Sequence, residues 1–249
     1  MPRVATIGRM KIRTIASVAK FNGTSSQIDL GTSGAIAAAT ATFSCTCYLK
    51  RDKTTGLTAM VGDNNNAAQN HWNFQIQGPN RKLLSTIITT SGAKALIGVR
   101  NIPQGFWTHA AITYDGALIT FYVNGVFDTN TTHTGTVLAS TTGVFIGTGS
   151  APVGGAYRYF GGSIAEVKYW DRALSASEVA DLYFDNRNDA SIRTNLKGEW
   201  LLDSNVNDSS GFGNNGTATA ITYDTLDVPL KERTASTGRT GVVNRTLIT

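Results

Sequence analysis

The chain has 249 residues, of which 41% are hydrophobic and 16% charged, so it can form a core and is not wholly disordered. Its net charge is +5, but residues 1–20 carry five basic and no acidic side chains, residues 225–249 carry a net +2, and residues 21–224 carry −2. A nucleic-acid-binding domain places its positive charge on a folded face. The charge distribution therefore disfavours nucleic acid as a partner.

The sequence between residues 18 and 224 predicts short β-strands joined by glycine and asparagine turns. The clearest pair is a central hairpin whose strands meet at Asp115-Gly116, with a second turn at Asn124-Gly125. Alternation of apolar and polar residues, or dense β-branched runs, indicates the other strands. In chain order, strands are predicted over residues 18–21, 27–30, 43–49, 72–76, 83–90, 107–114, 118–123, 143–147, 162–169, 198–202 and 217–223.

One helix is predicted after the last long strand of the central region. Ser175 and Glu178 have the spacing of a capping box, in which each side chain satisfies a backbone N–H of the other. Val179 and Leu182 then lie on one helical face. The pattern predicts two to three turns that end near Asp185.

The two cysteines and the N-terminus bear on the cellular compartment. Cys45 and Cys47 are two residues apart in a predicted strand, so their side chains share a face and a bond between them would have poor geometry. We therefore expect no disulfide framework. No apolar stretch follows the N-terminal basic residues, and no run approaches the ~18 apolar residues of a membrane span. The sequence predicts neither a secretory signal nor a membrane segment.

Four segments, taken in order, resemble the laminin G-like or concanavalin A-like lectin/glucanase jelly roll. They are the opening Phe-x-Gly strand at 21–26, the central hairpin at 107–125, the segment 160–175, and the segment 200–216. The resemblance covers about residues 18–224 and implies an all-β, two-sheet antiparallel jelly-roll sandwich with one short helix. The remaining residues, 1–17 and 225–249, are predicted to form extended basic arms. Such a fold hosts many functions, so it does not name a ligand.

Glycosidases share this fold, which makes catalysis the first alternative. Glycoside hydrolysis needs two carboxyl groups ~5–9 Å apart. No strand carries acids at alternating positions, since Glu166 and Glu199 both stand between non-acidic neighbours on their own face. His109 lies inside the hairpin and is expected to be a packed residue, and no Gly-x-Ser-x-Gly elbow occurs. The sequence therefore predicts a protein that is not an enzyme.

Recognition of glycans is the second alternative. An exposed aromatic ring beside amide and carboxylate groups would suit a sugar, although a buried tryptophan is the commoner arrangement. The candidate ligand-binding residues lie in a polar loop, on the strand that follows it, and near residue 158. They are Asp63, Asn64, Asn65, Trp72, Tyr157 and Tyr159.

A structural calcium ion is a further possibility, because lectin-like jelly rolls often hold one. Calcium takes six to eight oxygen ligands at ~2.4 Å. Asp203, Asp208 and Asn214 could supply some, as could Asp63 and its neighbouring asparagines; alternatively, these residues only shape turns.

The arms and the missing signal favour a structural component of a larger assembly. The main hypothesis is a bacteriophage virion protein, a decoration, capsid-associated or tail component, whose arms bind neighbouring protein subunits and whose lectin-like domain faces outward. The arm residues expected to contact partners are basic: Arg3, Arg9, Lys11, Arg13, Arg239 and Arg245. The alternative is a free carbohydrate-binding module, secreted or at the cell surface.

Overall fold

A computed structural model describes residues 17–52, 57–63, 71–78, 80–149, 158–184 and 190–225. Outside this part lie the six basic residues predicted for the arms, together with Asn64, Asn65 and Tyr157. The two-arm assignment and the contacts predicted for these residues stay predictions. In the described segments, no helix is long and apolar enough to cross a membrane.

The described residues form fifteen strands and two short helices. In chain order they are β1 (Val18–Asn22), β2 (Gln27–Asp29), β3 (Phe43–Arg51), β4 (Thr58–Asp63), β5 (Asn73–Gln77), β6 (Lys82–Thr89), β7 (Gly92–Asn101), β8 (Thr108–Tyr114), β9 (Leu118–Val123), β10 (Val126–Thr132), β11 (Val144–Ile146), β12 (Gly161–Trp170), α1 (Ala176–Tyr183), α2 (Ala190–Arg193), β13 (Leu196–Trp200), β14 (Thr217–Thr219) and β15 (Thr222–Asp224).

Two antiparallel sheets face each other, which confirms the predicted sandwich. The first sheet has eight strands in the order β10-β9-β8-β3-β12-β1-β15, with β13 paired to β12. The second has seven strands in the order β14-β2-β11-β4-β5-β6-β7. Because side chains alternate along each strand, the inner faces of both sheets supply one large apolar core.

Three strands depart from the sequence prediction because their residues do not alternate in polarity. β4 is buried along its whole length, while β7 and β10 are mostly exposed edge strands. The predicted strand 217–223 is two strands: β14 pairs with β2 in the second sheet and β15 pairs with β1 in the first. Ala220, with φ of +52°, lies where the chain passes from one sheet to the other.

The helices lie on the outer face of the first sheet. The predicted capping box is confirmed: Ser175 N–H donates to Glu178 Oε2 over 2.8 Å, and Glu178 N–H donates to Ser175 Oγ. A second apolar cluster joins this face to the helices; its buried members are Ala111, Tyr122, Trp170, Leu174, Val179, Leu182, Ile192 and Leu196. The helices do not cover the outer face near β15, where a groove lies.

Candidate functional site

The groove begins at a row of polar residues that crosses four adjacent strands of the first sheet. Lys20 on β1 is paired with Thr222 on β15 and with Ser163 on β12, and Ser163 is paired with Lys50 on β3. Directly paired residues present their side chains on the same face of a sheet. Ala19 and Phe21, on either side of Lys20, point into the core, so the row lies on the outer face. Its Lys20 and Thr222 end borders the groove.

An ion pair forms one wall of the groove. Lys20 Nζ lies 2.5 Å from Asp52 Oδ2, and the two side chains are 33% and 48% exposed. The backbone of Asp52 is held on both sides, because its N–H donates to the Gly161 carbonyl and its own carbonyl accepts from Gln104 Nε2, each over 2.8 Å. The pair thus offers an accessible donor and acceptor at fixed positions.

Backbone and small side chains make the remaining surface of the groove, which has a volume of about 750 Å³. Gly161 and Gly162 line it from β12, and Ala220 and Ile221 line it opposite. Gly162 has φ of +140°, and a Cβ placed there would overlap the carbonyl oxygen of Lys50. Glycine is therefore required at this position.

The turn at the mouth of the groove is organised around the Asn22 side chain. Asn22 Oδ1 accepts hydrogen bonds from the backbone N–H groups of Thr24, Ser25 and Ser26, at 2.9 to 3.1 Å. An asparagine commonly caps its own turn in this way. The Ser26 hydroxyl also donates to the Ala220 carbonyl over 2.6 Å, which ties the turn to the far side of the groove. The turn therefore gives the groove a preformed rim.

The prediction of Trp72 as a surface platform for sugar stacking is wrong. Its side chain is 1% exposed and lies in the core, with its ring 5.1 Å from Phe43 and 6.0 Å from Tyr169. Trp72 directly precedes β5 and bridges to Ile87 of β6 in the second sheet, while its ring contacts strands of the first sheet, so it lies between the two sheets. A large apolar ring at an inward position gains more from burial than from exposure.

Asp63 is likewise buried and does not form a surface contact for a glycan. Its carboxylate accepts a hydrogen bond from Thr142 Oγ1 over 2.7 Å and lies 2.8 Å from His71 Nδ1. Burial on its own raises the pKa of Asp63, but hydrogen bonds from His71, Thr142 and Ser140 outweigh it and lower that pKa. Asp63 is a structural anchor at the end of β4.

Tyr159 is half-buried, and the residue before it reaches the outer face of the second sheet. There, Arg158 Nη1 donates to Gln75 Oε1 over 2.8 Å. Tyr159 itself is not part of the groove lining, although Gly161, two residues further on, is. Its role as a ligand contact stays a prediction.

The residues predicted as calcium ligands near the C-terminal end serve as hydrogen-bonding groups. Asp208 Oδ1 accepts from the N–H groups of Glu199 and Ser210, while Oδ2 accepts from Ser210 Oγ and Asn214 N–H, all at 2.8 to 3.0 Å. Asp203 Oδ1 accepts from the N–H and hydroxyl of Ser17. In this structure these oxygens accept hydrogen bonds from nearby backbone and hydroxyl groups, as expected of residues that shape turns.

The two buried glutamates of the first sheet also have a structural arrangement. Lys168 Nζ lies 3.1 Å from Glu166 Oε2 and 3.8 Å from Glu199 Oε1, and all three side chains are buried. His109 packs between the rings of Tyr48 and Tyr183, as the sequence predicts. A lysine shared by two buried acids neutralises them, which is the usual condition for charges in an interior.

Sequence reasoning did not identify the groove, because its residues come from distant segments. Lys20 lies in the basic N-terminal segment and in the predicted strand 18–21, and Asp52 follows a strand with no motif around it. Thr222 lies some 170 residues further along the chain. The three side chains come together because β12 pairs with both β1 and β3, and β1 also pairs with β15.

Solved structures with the same fold include several that recognise carbohydrates. A candidate carbohydrate-binding protein from Bacteroides ovatus is similar with a TM-score of 0.65 and 19% identity, over 86% of this chain and 62% of that protein. The chain therefore spans less than two thirds of that relative. The CBM40 of a Ruminococcus gnavus IT-sialidase, bound to α2,3-sialyllactose, has a TM-score of 0.55 and 14% identity, over 69% of this chain and 99% of that one.

A third similar structure is a heptameric SAP-like pentraxin from Limulus polyphemus, with a TM-score of 0.53 and 16% identity over 69% of this chain and 84% of that one. A comparison with curated protein sequences finds no match. The profile of the concanavalin A-like lectin/glucanases superfamily, in its laminin G form, matches residues 22–180, which is more than half of the chain. The chain therefore belongs to the concanavalin A-like lectin/glucanase superfamily.

Proposed function

We propose that this domain is a non-catalytic carbohydrate-binding module and that the groove beside Lys20 and Asp52 is its saccharide site. The observation that carries the proposal is an exposed donor–acceptor pair 2.5 Å apart, set beside a floor of glycine backbone. A sugar presents hydroxyl groups that both donate and accept, together with less polar C–H surfaces. The groove offers a partner for each.

The size of the groove supports the same function. Small-molecule sites are usually clefts of about 300–1,000 Å³ with apolar walls and a few placed polar groups. A volume of about 750 Å³ lies inside that range. The backbone hydrogen bonds of Asp52 and the capped turn at Asn22 make the site preformed, which limits the entropy lost on binding.

The similar structures favour this function over the virion hypothesis. One of them is described as a candidate carbohydrate-binding protein and another is bound to sialyllactose. Likeness at their level of identity establishes the fold, so the saccharide site itself is inferred from the groove. The virion hypothesis depends on the basic arms, which lie outside the described residues, and it stays a prediction. As part of the carbohydrate-binding proposal, we place the protein outside the cell or on the cell surface.

A blocking substitution tests the proposal. Thr222 is exposed and lies at the edge strand β15, so Thr222→Tyr would fill the groove without entering the core. We expect the full chain to bind oligosaccharides on a glycan array and Thr222→Tyr to lose that binding, while its melting temperature stays within a few degrees of wild type. Thr86→Tyr, on the second sheet, is the matched control. Equal binding by wild type and Thr222→Tyr would contradict the proposed site.

A further inference from the structure

We infer that the groove recognises a neutral saccharide through two adjacent hydroxyl groups, with the Lys20–Asp52 ion pair as the recognition element and without a calcium ion. This inference rests on the proposed function and specifies the class of its ligand. It depends on three features of the groove: its balance of charge, the chemistry of its donor set, and the position of its aromatic residue.

Among the residues that the structure describes, the charges on this part of the outer face cancel. Lys20 is paired with Asp52. Lys50 and Asp224 lie on the same face, because Lys50 is opposite Ser163 and Asp224 is opposite Val18 in the strand register. An acidic sugar that approached Lys20 would meet the carboxylate of Asp52, and an amino sugar that approached Asp52 would meet the ammonium of Lys20. A neutral ligand avoids both repulsions.

The ion pair has hydrogen-bonding capacity beyond its own contact. A lysine ammonium has further N–H donors after one is directed to Asp52, and a carboxylate has further lone pairs after one accepts from Lys20. One hydroxyl can therefore accept from Lys20 while the next hydroxyl on the ring donates to Asp52. Hydrogen bonds to charged groups are stronger than those between neutral groups, so this arrangement supplies both affinity and orientation.

The donor set of the groove does not suit a calcium ion. Calcium requires six to eight oxygen ligands, usually including several carboxylates. Asp52 is the one acidic residue in the described lining of the groove. The Lys20 ammonium lies 2.5 Å from the Asp52 carboxylate and would repel a cation there. Among the described residues, no three His, Cys, Asp or Glu side chains are grouped as metal ligands. Recognition by direct hydrogen bonds is the mode that these side chains allow.

The aromatic residue in the lining does not act as a stacking platform. Phe21 lines the groove but is 1% exposed, and its ring makes an edge contact with Phe160 in the core at 6.1 Å. The groove therefore recognises a sugar by hydrogen bonds to its hydroxyl groups and not by stacking against the face of the sugar ring. We expect sugars that differ only in the orientation of one hydroxyl to bind with different affinities.

Titration calorimetry on the full chain tests this inference with two sets of probes. The neutral set is oligosaccharides of glucose, galactose and mannose; the acidic set is α2,3-sialyllactose and oligogalacturonate; each is measured with calcium chloride and again with EDTA. The variants are Lys20→Met, which removes the ammonium and keeps most of the side-chain length, and Asp52→Asn, which keeps the side-chain shape and removes the charge. The control is Lys197→Met, which removes a partly exposed ion pair to Asp171 that is not part of the groove.

We expect at least one neutral oligosaccharide to bind equally with calcium or EDTA, and Lys20→Met and Asp52→Asn each to weaken it about tenfold or more, with Lys197→Met unchanged. Binding of the acidic set alone, strengthened by Asp52→Asn, would overturn the inference and leave the proposed function intact. Loss of binding in EDTA would do the same. Failure of the folded wild-type chain to bind any probe would overturn the proposed function as well.

Discussion

Asp128 Oδ2 accepts a hydrogen bond of 2.9 Å from the backbone N–H of Val99, and this contact joins the two sheets along one side of the sandwich. The other oxygen of Asp128 accepts from the next amide, that of Arg100, also over 2.9 Å. Asp128 lies at an irregularity in the pairing of β10 with β9, which turns its side chain toward β7. A carboxylate thus occupies two amides of an edge strand that would otherwise be open to pairing with another chain.

We predict that Asp128→Ala lowers the free energy of unfolding by about 1–3 kcal/mol, because two backbone donors lose a charged acceptor. Urea unfolding followed by tryptophan fluorescence measures the change. Arg100→Ala is the control, since its guanidinium is half-exposed and 3.7 Å from the same carboxylate, so its loss should cost less than about 1 kcal/mol. If Asp128→Ala is no less stable than this control, the side chain does not hold the sheets together.

A second prediction concerns the start of α1. Glu178 caps the helix through Ser175 and also accepts two hydrogen bonds from the Arg172 guanidinium, at 2.6 and 3.1 Å. We expect Glu178→Ala to lower the free energy of unfolding by about 1–2 kcal/mol, and Glu178→Gln, which keeps an acceptor, to lower it less. Thermal melts of both variants would show the order. Equal losses would mean that hydrogen bonding contributes nothing beyond the charge.

The pH dependence of stability follows from three carboxyl groups. The pKa of Glu178 is lowered first by hydrogen bonds from Arg172; for Asp63 and Asp208, burial raises the pKa but hydrogen bonds outweigh it and lower it. A lowered pKa in the folded state stabilises the fold above the unfolded-state pKa, and this contribution is lost as the pH falls through the folded-state value. We therefore predict melting temperatures that are level near neutral pH and fall below about pH 4.

Asp208→Asn tests the origin of that slope. The amide cannot gain the charge, so the variant should be less stable at neutral pH and should lose less stability on acidification than the wild type. Melting temperatures between pH 7 and pH 3 measure both effects. Parallel curves for the two proteins would show that Asp208 does not contribute to the acid sensitivity.

The cysteines give a prediction about reactivity. Cys45 and Cys47 are free and fully buried, and burial raises the pKa of the Cys47 thiol to about 12. Since the thiolate is the reactive form, neither residue should be alkylated in the native protein at pH 8. Iodoacetamide labelling followed by mass spectrometry should show no adduct before unfolding and two adducts in denaturant. Rapid labelling of the native state would contradict the packing of β3 in the core.

The sequence predicted the fold well where residues alternate in polarity or carry strong turn signals. The hairpin at Asp115-Gly116 and the capping box at Ser175 depend on neighbouring residues, so both were found. β7 and β10 were missed because edge strands do not need an apolar face. Their places in the sheets are set by pairing with neighbouring strands and not by alternation of polarity in their own sequences.

The candidate site was not predictable in the same way. Trp72 stood beside a polar loop, which suggested exposure, but the register of β5 turns it into the core. Lys20 and Asp52 meet only because β1 and β3 both pair with β12, a long-range arrangement that no local pattern encodes. A single sequence does not reveal which residues on distant strands will be neighbours in the folded protein.

The most direct test of the saccharide site is a crystal structure of the full chain with a bound neutral oligosaccharide. We predict that the sugar lies in the groove, with adjacent hydroxyls within hydrogen-bonding distance of Lys20 Nζ and of the Asp52 carboxylate. A sugar bound on the outer face of the second sheet, beside Arg158 and Gln75, with the groove unchanged, would contradict it.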